Sequence, residues 1–453
     1  MTVVHLNKND LAGGAARAAY RLHKALQRAG QESLMIVESR SSDDPSVRAF
    51  EKPTDALPVV RRGLRQMWID RQIRRYRKSR PRGYELFSVD RSAHASTLLD
   101  QIPACEVINL HWISGFVDYP SFFTRVPSST PIVWTLHDLN PLTGGCHYDL
   151  GCGRYVVPCG RCPQLGSVDS RDLSNVVWAR KQQVFAKVAP SRLHFVTPSR
   201  WLAGEVKRSP IVGRFPVSLI PHGLDLEEFR PRNRERAREL LEIPRDSRVA
   251  LFVAEDVGNR RKGFSLLIEA LTRCAGRIPN LVLLSLGQNK PEVHAAIPSV
   301  HMGSVNNNDR FLSMVYSAAD VFVSCSLQEA YGLTVMEAMA CGIPVVGFGV
   351  GGVADMVRNG VTGLTVAPTD VDALADALRG LLNDGARCAE MGRNARRIAV
   401  EEYSVELQAR RYAELYASLV RKENLDRSAF PDRSDLGATD GVGSETTTQV
   451  NPR

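Results

Sequence analysis

No stretch of this 453-residue chain approaches the roughly 18 consecutive apolar residues that a bilayer-spanning helix needs, so no membrane-crossing segment is expected. The opening Met1-Thr-Val-Val-His-Leu6 lacks the basic region and apolar core of a secretory signal and leads straight into an apparent strand, which predicts a cytoplasmic chain. No helix-turn-helix, zinc-finger or RNA-binding signature accompanies its basic residues, which argues against a nucleic-acid partner. The dinucleotide fingerprint G-x-G-x-x-G is missing from the first strand–helix turn, where Gly13-Gly14-Ala-Ala-Arg17 stands instead, and a dehydrogenase reading is weakened accordingly. The metal-binding letters D-x-D do occur, as Asp370-Val-Asp372. They follow Pro368-Thr369 and open an apparent helix at Ala373, so a capping role outweighs metal binding.

What is present is material for two cores. Hydrophobic residues make up 43% of the chain and charged residues 24%, the mix of a soluble globular protein. Strand-like segments alternate with helix-like ones: Val3–Leu6, a helix over about 14–29, Ser33–Val37, Val107–Trp112 and Pro131–His137. After a turn-rich break at 221–231 the pattern resumes with Arg248–Val253, Leu281–Leu286, Val321–Ser324 and Ile343–Val346. Such alternation predicts an α/β chain of two doubly wound parallel sheets. The expected organisation is an N-terminal domain over 1–225 with a Cys-rich insertion at 140–167, a second domain over 226–403, a returning helix over 404–421 and a disordered polar tail over 422–453.

The most informative block is Glu329-Ala-Tyr-Gly-Leu-Thr-Val-Met-Glu337, continuing to Gly342-Ile-Pro-Val-Val346. It places two carboxylates eight positions apart around a glycine turn that opens a helix, with Gly342 suited to close it. The turn Tyr331-Gly332-Leu333 presents free backbone N–H groups at a helix N-terminus, where a diphosphate is favoured. Two acids beside a phosphate site make sense as acceptors for sugar hydroxyls, Glu337 from a ribose and Glu329 from a hexose. The bland alternative is two solvated surface acids.

The block resembles the E-x7-E signature of the retaining glycosyltransferases of family 4, and a resemblance of that kind covers most of residues 1–421. It implies a GT-B fold, with two Rossmann-like domains facing a central cleft, and an enzyme that moves a hexose without a catalytic metal. The implied donor is a UDP- or GDP-sugar and the implied acceptor a saccharide or lipid-linked saccharide. Lys262-Gly263 is similar to the family's K-G pair. The G-R usually upstream is absent from Glu255-Asp-Val-Gly-Asn259, so the arginine role moves to Arg261. Both cations would stabilise the leaving diphosphate, a surface basic loop being the alternative. His137, at a strand end in Trp134-Thr-Leu-His-Asp138, stands where the family has a histidine facing the donor sugar; the alternative is a structural His–Asp pair. Gly14 stands in a double glycine that the family often has near the donor diphosphate or the acceptor, where it would let the donor approach the first helix, and Tyr331, Gly332 and Leu333 would bind the donor together with Glu337. A catalytically idle sugar-nucleotide-binding or membrane-surface scaffold, or a GT-B nucleotide-sugar epimerase, remains the alternative function.

Cys146, Cys152, Cys159 and Cys162 cluster within 17 residues as C-x5-C-x6-C-x2-C. In a cytoplasmic chain that spacing suggests a structural zinc site, with free thiols as the alternative. The sequence around them resembles a branch of family 4 associated with bacterial exopolysaccharides of the colanic-acid type. Finally, residues 61–82 hold ten Lys or Arg against the single acid Asp70, interleaved with Leu64, Met67, Trp68, Ile69, Ile73 and Tyr76 at near-helical spacing. This reads either as a basic amphipathic helix lying peripherally on the anionic inner face of a membrane, or as a solvated helix.

Overall fold

The computed structural model describes residues 1–429 other than 82, 96, 291, 294–296, 306 and 307. Seven strands, β1 Thr2–Asn9, β2 Glu32–Ser39, β3 Val47–Ala49, β4 Val107–Leu110, β5 Ile132–Thr135, β6 Leu193–Thr197 and β7 Val217–Leu219, form one sheet in the order β3-β2-β1-β4-β5-β6-β7. Six more, β8 Arg248–Asp256, β9 Leu281–Gln288, β10 Ser299–His301, β11 Val321–Ser324, β12 Val345–Phe348 and β13 Gly363–Val366, form a second in the order β10-β9-β8-β11-β12-β13. Every pairing in both is parallel. β4, β5, β11 and β12 are buried on both faces, which is why they read as continuous apolar runs rather than alternating ones.

In each sheet the strand order reverses beside the first strand, between β1 and β4 and between β8 and β11. Ligands bind in the crevice outside the carboxyl ends of the strands at such a switch point. Two doubly wound halves with their switch points facing one cleft make a GT-B fold.

The chain crosses between the halves twice, and the two crossings run side by side. Leu224 N donates to Tyr403 O at 2.9 Å, and Val405 N returns to Leu224 O at 3.0 Å. A Cβ on Gly223 would lie 2.5 Å from Val405 Cα, so only glycine lets the strands pass. The final helix, Val405–Ala429, packs back on the first sheet through Ala409, Tyr412 and Tyr416 against Val3, Leu22, Val107 and Val133. Asn109 Nδ2 donates to the Tyr416 hydroxyl at 2.7 Å. This helix corrects the expectation of an end near residue 421, because it continues through residues 422–429. The remainder of the expected disordered tail, 430–453, lies outside the described residues.

Among the described residues no helix is long and apolar enough to cross a membrane. Asp370 caps the helix Val371–Leu382 by accepting from Ala373 N at 2.9 Å, the role its context predicts.

Candidate active site

Two cavities adjoin in the cleft. The first, about 480 Å³, is lined by His137, Arg261, Lys262, Glu329 and Tyr331–Thr334 together with the Gly13–Arg17 turn. The second, about 380 Å³, holds Glu337 and the ends of β8 and β9 at Val253–Glu255 and Leu286–Gln288. They share Ala12, Gly13, Arg17, Ala254, Glu255 and Thr334 as a common wall. The nine non-cysteine candidate site residues therefore line these two adjoining cavities.

The helix Leu333–Ala340 starts at Gly332, whose φ of 102° no side-chain-bearing residue adopts readily. Tyr331 turns inward, donating its hydroxyl to His222 O at 3.1 Å. The loop before it is pinned by glycine on the opposite side, since a Cβ on Gly351 would lie 1.8 Å from Glu329 O. This loop fixes Glu329 at the mouth of the helix while Glu337 lies in its interior. On the facing domain, Gly14 comes so close that an added Cβ would sit 3.4 Å from Leu333 Cδ1.

Glu329 is buried, and its Oε2 accepts from Lys262 Nζ at 2.5 Å, Arg261 NH1 at 3.1 Å and Ser326 Oγ at 3.2 Å. Burial alone would raise its carboxyl, but Lys262 and then Arg261 outweigh it and hold it at about 2. The Lys262 ammonium is pulled below its usual value by burial despite Glu329. Arg261 is fixed from four sides: Nε donates to Glu85 Oε1 at 2.6 Å, NH1 to Gln328 O at 2.8 Å and to Glu329, and the guanidinium lies 3.9 Å from the centre of the Tyr148 ring. Its neighbour Arg260 is exposed.

The side chain of Arg17 reaches both cavities and makes no hydrogen bond or ion pair among the described residues; its Nε is buried without a partner. Arg261 and Lys262 are already occupied by Glu329, so Arg17 is the cation left available to an incoming anion. Glu337 is buried too, with Oε1 3.3 Å from Arg21 NH1 and Oε2 accepting from Tyr316 OH at 2.9 Å.

His137 is half-buried at the cavity wall. Its ring stacks on His222 with centroids 5.0 Å apart and planes 13° from parallel, and its Nε2 lies 3.2 Å from His111 Nδ1. Burial holds the imidazole at about 4 against the opposing pull of Asp138. Asp138 is not its hydrogen-bond partner: that carboxylate binds His147 Nδ1 at 2.6 Å and Trp112 Nε1 at 2.8 Å. The simple His137–Asp138 structural pair is thus replaced by a different arrangement.

The structural zinc expected at Cys146, Cys152, Cys159 and Cys162 is not confirmed. Among the described residues no three His, Cys, Asp or Glu groups are set to hold a metal. The four cysteines converge on one small cavity of about 20 Å³, with Phe87 and Tyr155 also in its walls, and all four are free thiols. The insertion has a different importance: Leu150 N donates to Gln328 Oε1 at 3.0 Å and Gln328 Nε2 to Asp149 Oδ1 at 2.6 Å, which ties it to the residue preceding Glu329.

Sequence reasoning did not single out Glu85, Tyr148, His111 or His222 as site residues. Each depends on a long-range approach. His222 alone carried a local signal, since it sits in the Pro221-His222-Gly turn where the chain leaves the first domain.

Comparison with known proteins agrees with this geometry. Residues 233–398 match the family described as glycosyl transferases group 1, a segment containing Arg261, Lys262, Glu329 and Glu337. The chain is 29% identical over 307 residues to D-inositol 3-phosphate glycosyltransferase 2 of Catenulispora acidiphila, covering 64% of this chain and 65% of that one. It is 34% identical over 197 residues to the D-inositol 3-phosphate glycosyltransferase of Kribbella flavida, covering 40% and 46%. The chain thus spans less than two thirds of these curated relatives.

Among solved structures, sucrose-phosphate synthase from Thermosynechococcus elongatus superposes with a TM-score of 0.65 at 22% identity, covering 93% of this chain and all of that one. Anabaena Alr3699/HepE, in complex with UDP and glucose, gives 0.61 at 17% identity over 92% of this chain and all of that one. At these identities the likeness establishes the GT-B fold, and the sequence matches relate the chain to sugar transferases of that fold broadly rather than to an exopolysaccharide branch.

Proposed function

We propose that this chain is a retaining, metal-independent glycosyltransferase that moves a hexose from a nucleoside diphosphate sugar to a saccharide or lipid-linked saccharide. The observation that carries this reading is the pair of adjoining cavities, one ending at Glu337 and the other at Glu329, with Arg17 and Thr334, in the first turn of the helix after Gly332, on the wall between them. A nucleoside fits the second cavity with its ribose on Glu337. The diphosphate then lies at the first N–H groups of the Leu333–Ala340 helix, opposite the Gly13–Gly14 turn and within reach of Arg17. The hexose enters the first cavity, between His137 and Glu329.

As the bond from the sugar to the diphosphate breaks, negative charge grows on the leaving oxygen. Arg17, Lys262 and Arg261 supply fixed positive charge there, so the geometry provides without a divalent ion what a metal would provide elsewhere. The acceptor hydroxyl forms the new bond, and its proton passes to the departing phosphate. Binding of a nucleoside diphosphate to the folded chain raises its melting temperature, so a thermal-shift screen with UDP and GDP is the first test. No shift with either at millimolar concentration, in a protein that melts cooperatively, would overturn the reading.

A membrane-associated acceptor is favoured by the helix Ala56–Arg74. Leu57, Val60, Leu64, Met67 and Trp68 along it are 50% to 68% exposed, and Arg61, Arg62, Arg71 and Arg74 flank them. An apolar ridge with basic shoulders suits the surface of anionic lipid. Beyond it a cleft lined by Arg74, Arg77, Arg80, Tyr84 and Leu86 leads to Leu86 in the wall of the first cavity.

A further inference from the structure

Three neighbouring strands of the first sheet each bring a histidine to the same level. His5 lies on β1, His111 one residue beyond β4, and His137 two residues beyond β5, and these strands are adjacent in the order β1-β4-β5. Their rings form a lateral chain that ends at the active cavity. His5 Nδ1 is 2.9 Å from His111 Nε2, and His111 Nδ1 is 3.2 Å from His137 Nε2. His5 and His111 are fully enclosed, whereas His137 is the half-buried member that lines the cavity.

A neutral imidazole carries one N–H and one bare nitrogen, so such a chain runs in one of two directions. In one, His137 Nε2–H donates to His111 and His111 Nε2–H donates to His5, which leaves a proton on His5 Nε2. That atom is buried and has no partner. In the other, His5 Nδ1–H donates to His111 Nε2, His111 Nδ1–H donates to His137 Nε2, and the last N–H is His137 Nδ1, at the cavity. Buried N–H groups without acceptors are rarer than bare acceptors without donors. The second direction gives every N–H within the chain an acceptor and leaves only a lone pair unmet in the core.

We propose that His5 and His111 are positioning residues that lock His137 as the neutral Nδ1–H tautomer, so that it offers the cavity a hydrogen-bond donor and no base. The same accounting extends to His222, stacked on His137: its Nδ1 is buried and unpartnered, so its proton belongs on Nε2. Two neutral donors then face one side of the cavity while the Glu329 carboxylate faces the other. The consequence for ligand class rests on the proposed glycosyl transfer. His137 selects an oxygen acceptor on the transferred hexose or its leaving phosphate, and it cannot take the acceptor's proton. Asp138 does not alter this, because its oxygens are held by His147, Trp112 and Asn140 N.

The test is nitrogen NMR of the full chain labelled with 15N-histidine, in which a protonated ring nitrogen and a bare one have well-separated shifts. His137 is assigned by its loss in His137→Gln. At neutral pH its Nδ1 is expected to give the protonated signal and its Nε2 the bare one; the reverse pattern in the wild-type protein would overturn the proposal with no variant needed. His111→Asn keeps an N–H donor where Nδ1 stands and is expected to preserve the His137 signature, whereas His111→Leu removes it and is expected to give mixed tautomers. In kinetics His111→Leu should lower kcat about tenfold with donor KM changed less than about twofold, and His111→Asn should recover most of that. A wild-type tautomer signature in His111→Leu would reject the positioning role. Because the NMR signature needs no turnover, it separates failure of this inference from failure of the transferase reading.

Discussion

Glu329 Oε2 lies 2.5 Å from Lys262 Nζ, and the same oxygen also accepts from Arg261 NH1. The cations come from the turn after β8 and the acid from the loop after β11, two strands that pair side by side. Each therefore fixes the other at the cavity wall before any ligand arrives. A hexose hydroxyl that binds Glu329 meets a carboxylate already ionised and oriented, which is the preorganisation that transition-state stabilisation requires.

The two glutamates should separate kinetically. Glu329→Gln keeps the shape but removes the charge that Lys262 and Arg261 share, and kcat is expected to fall about 100-fold with donor KM little changed. Glu337→Gln should raise donor KM about tenfold while kcat stays within about threefold. Steady-state rates over a range of donor concentrations distinguish the two. Equal effects on both constants in both variants would reject the division of roles.

Glu337 has a structural consequence as well. Glu337→Ala leaves the Tyr316 hydroxyl without its acceptor and takes the Glu337 carboxylate from the largely enclosed guanidinium of Arg21, which keeps Asp309 as its remaining partner. Breaking a buried ion pair from one side costs about 3 kcal/mol. Urea unfolding should show a loss of that order, whereas a midpoint unchanged from wild type would mean the pair is solvated in solution.

Arg261→Lys should not behave as a conservative change. The guanidinium fork spans Glu85, Gln328 O and Glu329 while lying flat on Tyr148, and an ammonium cannot reproduce those directions. A drop in kcat of more than about tenfold is expected, against an Arg260→Lys control with wild-type rates. Equal rates in the two variants would remove Arg261 from the site.

Acid should destabilise the fold through its histidines. Burial holds His23, His137 and His194 at about 4 and His5, His111 and His222 well below the usual imidazole value. In the unfolded chain each protonates near pH 6.5. Their contribution is complete above about pH 6.5, declines as the pH falls below it, and is lost as the pH passes the folded values. Each contributes at most about 1.4 kcal/mol per pH unit in that window. Urea midpoints at pH 7 and pH 5 check this, and equal midpoints would mean the imidazoles are solvated.

Much of this was legible in the sequence because parallel strands buried on both faces announce themselves as apolar runs, and because Gly332 and Gly342 punctuate the helix between them. Glu329, Glu337, Lys262 and His137 stood beside such punctuation. Glu85 and Tyr148 did not: each reaches Arg261 from more than 100 positions away in sequence, and nothing local in Tyr84-Glu85-Leu86 or His147-Tyr148-Asp149 signals it. The histidine chain was hidden for a different reason. Its members are dispersed over β1 and the ends of β4 and β5, and only the strand order makes them neighbours. The four clustered cysteines are a different case: their proximity in sequence suggested a metal shell, and the folded loop gathers the thiols around one small cavity.

The apolar ridge on the helix Ala56–Arg74 should bind vesicles containing anionic lipid and release them as salt is added. Changing Arg61, Arg62, Arg71 and Arg74 to Glu is expected to weaken vesicle binding at least tenfold while leaving transfer to a soluble acceptor intact. Undiminished vesicle binding in that variant would leave the helix a solvated one.

The most direct measurement is the anomeric configuration of the sugar transferred by the purified full chain, followed by NMR, from a panel of UDP- and GDP-hexoses with EDTA present. The account predicts that one such donor releases its nucleoside diphosphate without added metal and gives a product with the donor's own configuration. It also predicts that Arg17→Ala weakens nucleoside diphosphate affinity about tenfold, since that cation has no partner but the ligand. An inverted product, or transfer that EDTA abolishes and a divalent ion restores, would contradict it.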